Sequence, residues 1–194
     1  MKPLRLLLLA SGRGSHVVNL IDATRDGRLL GTVVCVISDR PDAAAIGAAR
    51  ERGIPVAILK PSGDGPRLAP EAEEELLAIV RRERPDVIAL CGFMRLLKAT
   101  TLERMGMPVL NVHPSLLPQF RGLHAQRQAI EAGATVTGAT VHRVDAGMDT
   151  GTVVLQESLA IQPGESAEAL AARLLPLEHQ LYIEAIRKLQ EETK

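Results

Sequence analysis

Short runs of apolar residues, each followed by a segment with helical spacing, are the feature that most restricts the fold of this chain. LRLLLLA at 4–10 ends in Ser-Gly, and GTVVCVISD at 31–39 ends in an acid. Continuous apolar runs of this length are typical of strands that are buried on both faces, as in a parallel sheet covered by helices. The chain is therefore predicted to be an α/β protein.

The alternation of strand and helix continues along the 194 residues, which are predicted to form one domain, 1–194. Further strands are predicted at 55–59, 85–93 and 107–113, and two more, joined by AGMDT, form a hairpin-like pair near the C-terminus. The predicted helices lie at 16–27, 43–54, 70–84, near 123–133 and at 166–190. This pattern predicts a mostly parallel twisted sheet with helices on both faces and an antiparallel C-terminal strand pair.

The loops that follow the parallel strands are the first places to look for a site, because ligands of such sheets bind beyond the carboxyl ends of the strands. These loops begin at Ser11, Cys91 and Asn111.

Composition excludes several classes of function. Lys and Arg number 23, as do Asp and Glu, so the formal charge is zero, which argues against a surface for duplex nucleic acid. With two Phe, one Tyr and no Trp, a base-stacking platform is also not expected. No apolar run approaches the roughly 20 residues that span a bilayer, and the N-terminal run is too short for a signal peptide. The chain is expected to be soluble and cytoplasmic.

The cysteines and histidines do not form the clusters that bind metals. Cys35 and Cys91 lie in apolar runs and are expected to be buried thiols in a reducing compartment, and the histidines are scattered, so no metal site is predicted. From the local pattern, His16, His124 and His142 are expected to be structural or at the surface rather than catalytic.

The segment SGRGS at 11–15 connects a predicted strand to a predicted helix. Its glycines permit close approach of a ligand, and the helix N-terminus directs backbone N–H groups at one point, which suits a phosphate. A tight turn without a ligand remains the alternative. A nicotinamide site also stays open, since Asp39 follows the second strand where a ribose-binding acid would sit, although Val17 stands in place of the third glycine of that fingerprint.

The segment NVHPSLLP at 111–118 has the chemistry of an acyl-type transfer. Residues two apart in a strand point to the same side, so Asn111 and His113 are expected to project together. An amide donor stabilises a tetrahedral oxyanion, and an imidazole carries charge or moves a proton near neutral pH. The alternative is that both side chains only satisfy loop backbone groups.

Two further segments supply candidate partners. Asp149 lies in a Gly-flanked loop between the last two strands, and a carboxylate beside His113 would favour the protonated imidazole. Asp145 and Asp149 would otherwise be turn formers. CGFMRLL at 91–97 suits a flat, partly apolar ligand with an acidic tail, although core packing explains its apolar residues equally well.

Together these segments resemble the phosphoribosylglycinamide formyltransferases, folate-dependent enzymes of purine synthesis. The similar segments are SGRGS, GFMRLL, NVHPSLLP, TGATVHRVDAGMDTG and LEHQLY, in the order of the family and over nearly the whole chain. The resemblance implies a Rossmann-like formyltransferase fold whose N-terminal part, about 1–105, binds phosphate and whose remainder, about 106–194, holds the catalytic and folate-binding residues. It also implies formyl transfer from 10-formyltetrahydrofolate to the amine of glycinamide ribonucleotide, with no metal, by a monomer or homodimer.

The resemblance assigns roles to particular residues. Asn111, His113 and Asp149 match the catalytic trio, and Leu117–Pro118 matches a cis peptide bond. The residues that match the acceptor site are Gly14, Ser15, His16 and Glu178. Those that match the folate pocket are Met94, Arg95, Leu96, Leu97, Asp145, Ala146, Gly147 and Met148.

Because of departures from the family pattern, two other activities at the same folate site remain as alternatives. Ala69 stands where an arginine often meets the folate tail, with Arg67 nearby, and His16 stands where asparagine is common. The first alternative is a folate-dependent formyltransferase with another amine acceptor, and the second is a 10-formyltetrahydrofolate hydrolase. A non-catalytic nucleotide-binding module, which would use SGRGS alone, is disfavoured by the Asn/His/Asp set.

Overall fold

The structure, a computed structural model, describes residues 2–192, so the ends of the predicted 1–194 domain lie outside the described residues. Seven strands and six helices follow one another along this part of the chain. The strands are β1 (Leu4–Ala10), β2 (Gly31–Ser38), β3 (Val56–Ile58), β4 (Val87–Leu90), β5 (Val109–His113), β6 (Val136–Arg143) and β7 (Val153–Ala160). The helices are α1 (Ser15–Arg25), α2 (Ala44–Glu51), α3 (Pro70–Glu83), α4 (Ala99–Met105), α5 (Ala125–Glu131) and α6 (Ala167–Glu192).

The strands form one sheet in the order β3-β2-β1-β4-β5-β6-β7. Pairing is parallel from β3 to β5, whereas β5 pairs with β6 and β6 with β7 in antiparallel fashion. The predicted fold class is thus confirmed, including the C-terminal strand pair. The strand order reverses between β1 and β4, which brings the loops after Ala10 and Leu90 together at the edge where such sheets bind ligands.

Both faces of the central strand β1 are buried, as its continuous apolar run predicts. Leu6 and Leu8 belong to a core cluster that includes residues of α1, α2 and α6, while Leu7 and Leu9 belong to a second cluster that includes residues of α3. Successive side chains of a strand point to opposite faces, so a strand with helices on each side must be apolar at every position. The helical layers on the two faces follow directly from this pattern.

The helix α4 is a feature that the sequence pattern did not predict. It has only seven residues, including two adjacent threonines, which are weak helix formers. Thr101 is buried and donates a hydrogen bond from Oγ1 to Glu73 Oε1 of α3 at 2.9 Å, and Lys98 Nζ lies 2.6 Å from the other oxygen of Glu73. Contact with α3, rather than local propensity, therefore stabilises this helix.

Other expectations about the core hold. Cys35 and Cys91 are buried free thiols, and burial raises the pKa of Cys35 to about 11 and that of Cys91 further. Helix α6 extends over the predicted C-terminal helix and contains Pro176 in its interior. Within residues 2–192, the structure has no helix that is long and apolar enough to cross a membrane.

Candidate active site

Asn111 and His113 lie at the carboxyl end of β5 and on the same side of the sheet. In the antiparallel pairing with β6, Asn111 is opposite His142 and His113 is opposite Thr140. His113 is buried, and Asn111 is half-buried and lines an open cleft. The two-residue strand period thus brings the amide and the imidazole together, as the sequence predicted.

Asp149 reaches this pair from the loop between β6 and β7. Its Oδ2 lies 3.3 Å from His113 Nδ1 and accepts a hydrogen bond from the backbone N–H of Gly122 at 2.9 Å. Its Oδ1 lies 3.5 Å from Asn111 Nδ2. The three residues that the sequence singled out are therefore adjacent in space.

The surroundings of Asp149 keep its carboxylate ionised. Burial raises its pKa, but hydrogen bonds from His142 and the Gly122 N–H, with the attraction of His113 and His142, outweigh burial and lower the pKa below the usual 3.8. The stability that this ionised group contributes is present above the unfolded-state pKa and is lost as the pH falls through the lower folded-state value. Asp149 is consequently a negative charge throughout the neutral range.

The hydrogen-bond partners of His113 favour its imidazolium form. Nδ1 faces the Asp149 carboxylate, and Nε2 lies 2.8 Å from the carbonyl oxygen of Phe120. Both partners are acceptors, and a neutral imidazole carries only one N–H, so only the imidazolium donates to both. The site therefore has a place for a positive charge next to the cleft.

His142 is the residue of the site that sequence reasoning missed. The sequence did not place it near the trio, and the structure shows it buried, with Nε2 at 3.2 Å from Asn111 Nδ2 and 3.5 Å from Asp149 Oδ1. The feature that could have identified His142 is the register of the β5–β6 pair, because a strand that pairs with β5 places one of its residues opposite Asn111. That register was not deducible from the local sequence.

Non-glycine residues in the left-handed backbone region cluster around this site. Phe120, His124 and Asp149 have φ values of 53°, 60° and 53°, and each such residue costs on the order of 1–3 kcal/mol. Side-chain bonds hold the loop in place, since Ser115 Oγ donates to Gln119 O at 2.5 Å and Thr140 Oγ1 donates to Ser115 O at 2.6 Å. The surrounding fold thus determines a loop conformation that local preference opposes.

The Leu117–Pro118 peptide bond in the same loop is cis, which confirms the expectation from the family resemblance.

The open cleft beside the trio combines apolar walls with a few polar groups. Its lining includes most of the residues that were assigned to a folate pocket, namely Arg95, Leu96, Leu97, Asp145, Gly147 and Met148. Met94 and Ala146 are exposed beside these segments. Met94 and Met148 are 59% and 51% exposed, which fits contact with a flat, partly apolar ligand.

The side chain of Arg95 serves the fold as well as the cleft. Its Nε donates to Asp39 Oδ2 at 2.7 Å, and its terminal nitrogens donate to the carbonyls of Gly63 and Gly65. The other carboxylate oxygen of Asp39 accepts from Ser11 Oγ at 2.5 Å. Asp39 is buried in these contacts and is not free for a ribose, which removes the basis of the nicotinamide alternative.

The predicted phosphate loop lies at the N-terminus of α1. Gly14 has φ 83° and is the N-cap of the helix, so the first N–H groups of α1 lack a side-chain cap within the described part of the chain. Such N–H groups and the helix dipole favour an anion. The half-buried Ser15 begins the helix beside them.

His16 and Glu178 form a pair below this loop. His16 Nε2 lies 3.0 Å from Glu178 Oε2, and the His16 ring meets the His179 ring edge-on with centroids 4.9 Å apart. Burial, followed by the proximity of His16, lowers the pKa of His179. Glu178, which local pattern alone would leave solvated, is thus a buried acid between α1 and α6.

We expect Gly14→Ala to destabilise the protein and weaken anion binding at the α1 N-terminus. A Cβ at Gly14 would lie 2.6 Å from Ala45 Cα, and alanine disfavours the φ of 83°. Thermal unfolding should show a lower Tm, and inorganic phosphate should bind more weakly by calorimetry. Gly12→Ala is the matched control, because a Cβ there has no atom within 4 Å. Equal Tm values for the two variants would contradict this account of the loop.

Comparison with known proteins gives a consistent assignment. The sequence profile described as formyl transferase matches residues 4–186. This chain belongs to the formyl transferase family. Membership implies a formyl donor of the folate type and small-molecule substrates. Within residues 2–192, no group of three or more His, Cys, Asp or Glu residues could hold a metal ion.

Individual members of the family are similar over most of this chain. Phosphoribosylglycinamide formyltransferase of Escherichia coli is 37% identical over 92% of the chain and 84% of its own length. The trifunctional purine biosynthetic protein adenosine-3 of Drosophila melanogaster is 38% identical over 95% of the chain, which spans only 14% of that relative. The crystal structure of glycinamide ribonucleotide transformylase 1 from Symbiobacterium toebii superposes with a TM-score of 0.90, at 38% identity, covering 98% of this chain and 89% of that one.

Proposed function

We propose that this formyl transferase moves the formyl group of 10-formyltetrahydrofolate to the amine of glycinamide ribonucleotide, a step of purine biosynthesis. The observation that carries the proposal is the contact of Asp149 with both Asn111 and His113 at the end of β5, beside an open, partly apolar cleft. The names of two relatives support the same acceptor, and this chain covers 84% and 89% of their lengths.

The site residues supply the groups that this transfer requires. The amine attacks the formyl carbon, and negative charge develops on the formyl oxygen. An N–H of Asn111 and the positive charge of the His113 imidazolium stabilise that oxygen. Asp149, ionised at neutral pH, pairs with His113 and maintains its charge. The bond between the formyl carbon and the folate nitrogen then breaks, the attacking amine loses a proton and the departing nitrogen gains one. His113 is the group of the trio that can hold and release this proton.

The two substrates occupy different parts of the loop edge in this proposal. The phosphate of the acceptor binds at the α1 N-terminus through Gly14 and Ser15, and Glu178, partnered by His16, faces its nucleotide part. The folate occupies the cleft, between the Met94–Leu97 segment and the Asp145–Met148 segment. The strand order supports this division, because it brings the loops after β1, β4 and β5 to one edge.

A formyl-transfer assay tests the proposal. Purified protein is mixed with 10-formyltetrahydrofolate and glycinamide ribonucleotide, and absorbance follows the release of tetrahydrofolate. Turnover is expected only with the acceptor present and is expected to be lost in His113→Ala. Release of tetrahydrofolate without the acceptor would identify a hydrolase. Binding of the folate without turnover would contradict the proposed acceptor and direct the search to other amines.

A further inference from the structure

The position of His142 links it directly to the orientation of the Asn111 amide. The two residues are opposite each other in the β5–β6 pair, and His142 Nε2 lies 3.2 Å from Asn111 Nδ2. His142 is buried, with only 2% of its surface exposed, so no solvent molecule can easily replace these contacts. The protonation state of Nε2 therefore decides whether the oxygen or the NH₂ group of the Asn111 amide faces it.

The other ring nitrogen defines the available protonation states of His142. Nδ1 lies 3.0 Å from the carbonyl oxygen of Arg143, an acceptor, so Nδ1 carries a proton. In the neutral ring, Nε2 then carries a lone pair. This lone pair accepts a hydrogen bond from Asn111 Nδ2, but it is repelled by the lone pairs of Asp149 Oδ1, which lies 3.5 Å away. In the imidazolium, Nε2–H points at that carboxylate and the repulsion becomes an attraction.

The two states have opposite consequences for Asn111. With Nδ2 directed at His142 Nε2 and at Asp149 Oδ1, both amide hydrogens have acceptors within the protein and none remains for a substrate oxyanion. With a protonated His142, Nε2–H lies between two acceptors, Asp149 Oδ1 at 3.5 Å and the Asn111 amide at 3.2 Å, so the amide turns its oxygen toward Nε2–H and shares that proton with the carboxylate. The NH₂ group then turns away from His142 toward the cleft that Asn111 lines.

We propose that His142 is a positioning residue that, in its protonated form, holds the Asn111 carboxamide with its NH₂ group toward the formyl oxygen. The inference rests on the proposed formyl transfer, because it assigns the oxyanion donor of that reaction. A protonated His142 also adds positive charge near the cleft. Asp149 then carries one imidazolium on each oxygen, and the surplus charge is balanced when the oxyanion forms.

The titratable groups around His142 are few. Asp149 of the β6–β7 loop faces Nε2 of His142 through its Oδ1, and His113 of β5 contacts Oδ2, the other oxygen of the same carboxylate. Arg95, from the segment after β4, and Asp145, from the β6–β7 loop, line the same cleft. The Asp149 carboxylate is the group in direct contact that favours a proton on Nε2.

A double-mutant cycle tests whether His142 acts through Asn111. His142→Leu is expected to lower kcat about 100-fold, the effect of losing one oxyanion donor, with little change in the KM for the folate. Asn111→Ala should lower kcat to a similar extent, and the double variant should lose no more than Asn111→Ala alone. Additive losses, or a normal kcat in His142→Leu, would overturn the proposal. Val136→Thr, an exposed change on the same strand, is the matched control.

A conservative variant separates positioning from packing. The side-chain amide of His142→Gln can place an N–H near the Nε2 position, so kcat should recover about tenfold relative to His142→Leu. No recovery would overturn the donor role. Circular dichroism and folate binding verify that both variants fold.

Nitrogen NMR of the wild-type protein reads the protonation of His142 without any acceptor. Both ring nitrogens should resonate as N–H at neutral pH, with His142→Gln giving the assignment. An unprotonated Nε2 would overturn the proposal. If this spectrum shows the imidazolium but glycinamide ribonucleotide is not formylated, the proposed function fails while the protonated state of His142 stands, so the two failures are distinguishable.

Discussion

Asn111→Ala is expected to reduce kcat by about 100- to 1000-fold while changing the KM of either substrate little, because the donor acts mainly on charge that develops in the transition state. The side chain lies at the end of β5, beside the cleft and within 3.5 Å of Asp149. Steady-state kinetics with both substrates varied separates the two parameters.

Asn111→Asp is the informative companion variant. It keeps the size of the side chain but replaces the NH₂ group by oxygen and adds a negative charge next to Asp149. The loss of kcat should be at least as large as in the alanine variant. A nearly normal kcat in either variant would exclude Asn111 as the oxyanion donor.

The second large effect is expected for Asp149→Asn. The variant should lose on the order of 100- to 1000-fold in kcat, and the alkaline limb of its pH–rate profile should move to lower pH. The reason is that the neutral amide no longer balances the charge on His113 and His142, which lie 3.3 and 3.5 Å from the two carboxylate oxygens. The imidazolium then lacks the carboxylate that pairs with it in the wild type.

The acid limb of the wild-type profile should not report Asp149. Its pKa is below 3.8, so the carboxylate remains ionised wherever the protein is assayed near neutral pH. Asp145→Asn is the matched control, since Asp145 Oδ1 accepts from Gly147 N–H and Thr150 Oγ1 in the same loop without contacting either histidine. That change should affect the KM of the folate through the loop and leave the pH profile in place. An unshifted profile in Asp149→Asn would remove Asp149 from its assigned role.

The proposed acceptor half of the site has a feature that bears on specificity. Glu178 already has His16 as a partner, at 3.0 Å, and both side chains are largely buried. A buried acid that is paired within the protein presents less free charge to a ligand than an unpaired one. We therefore expect the loop at Gly14 and Ser15, rather than Glu178, to contribute most of the binding of an anion.

Much of the fold was readable from local sequence because the relevant physics is local. Burial on both faces demands apolar residues along β1 from Leu6 to Ala10, and the two-residue strand period places Asn111 and His113 on one side. The Gly-rich turn at Gly14 also has a short-range cause. These patterns predicted the fold class, most strands and the chemistry of the β5 end.

The remaining features depend on which distant segments meet, and that is decided by strand order and register rather than by composition. The pairing of β6 with β5 brought His142 opposite Asn111, and the β6–β7 loop delivered Asp149 with a left-handed backbone. The α1–α6 contact paired His16 with Glu178, and the α3 contact stabilised the short helix α4. The sequence by itself determined the sheet, its buried strands and the amide–imidazole pair. Only the tertiary structure decided the partners of that pair. A strained backbone and a buried charge are unfavourable in an isolated segment, and contacts between distant segments compensate for both.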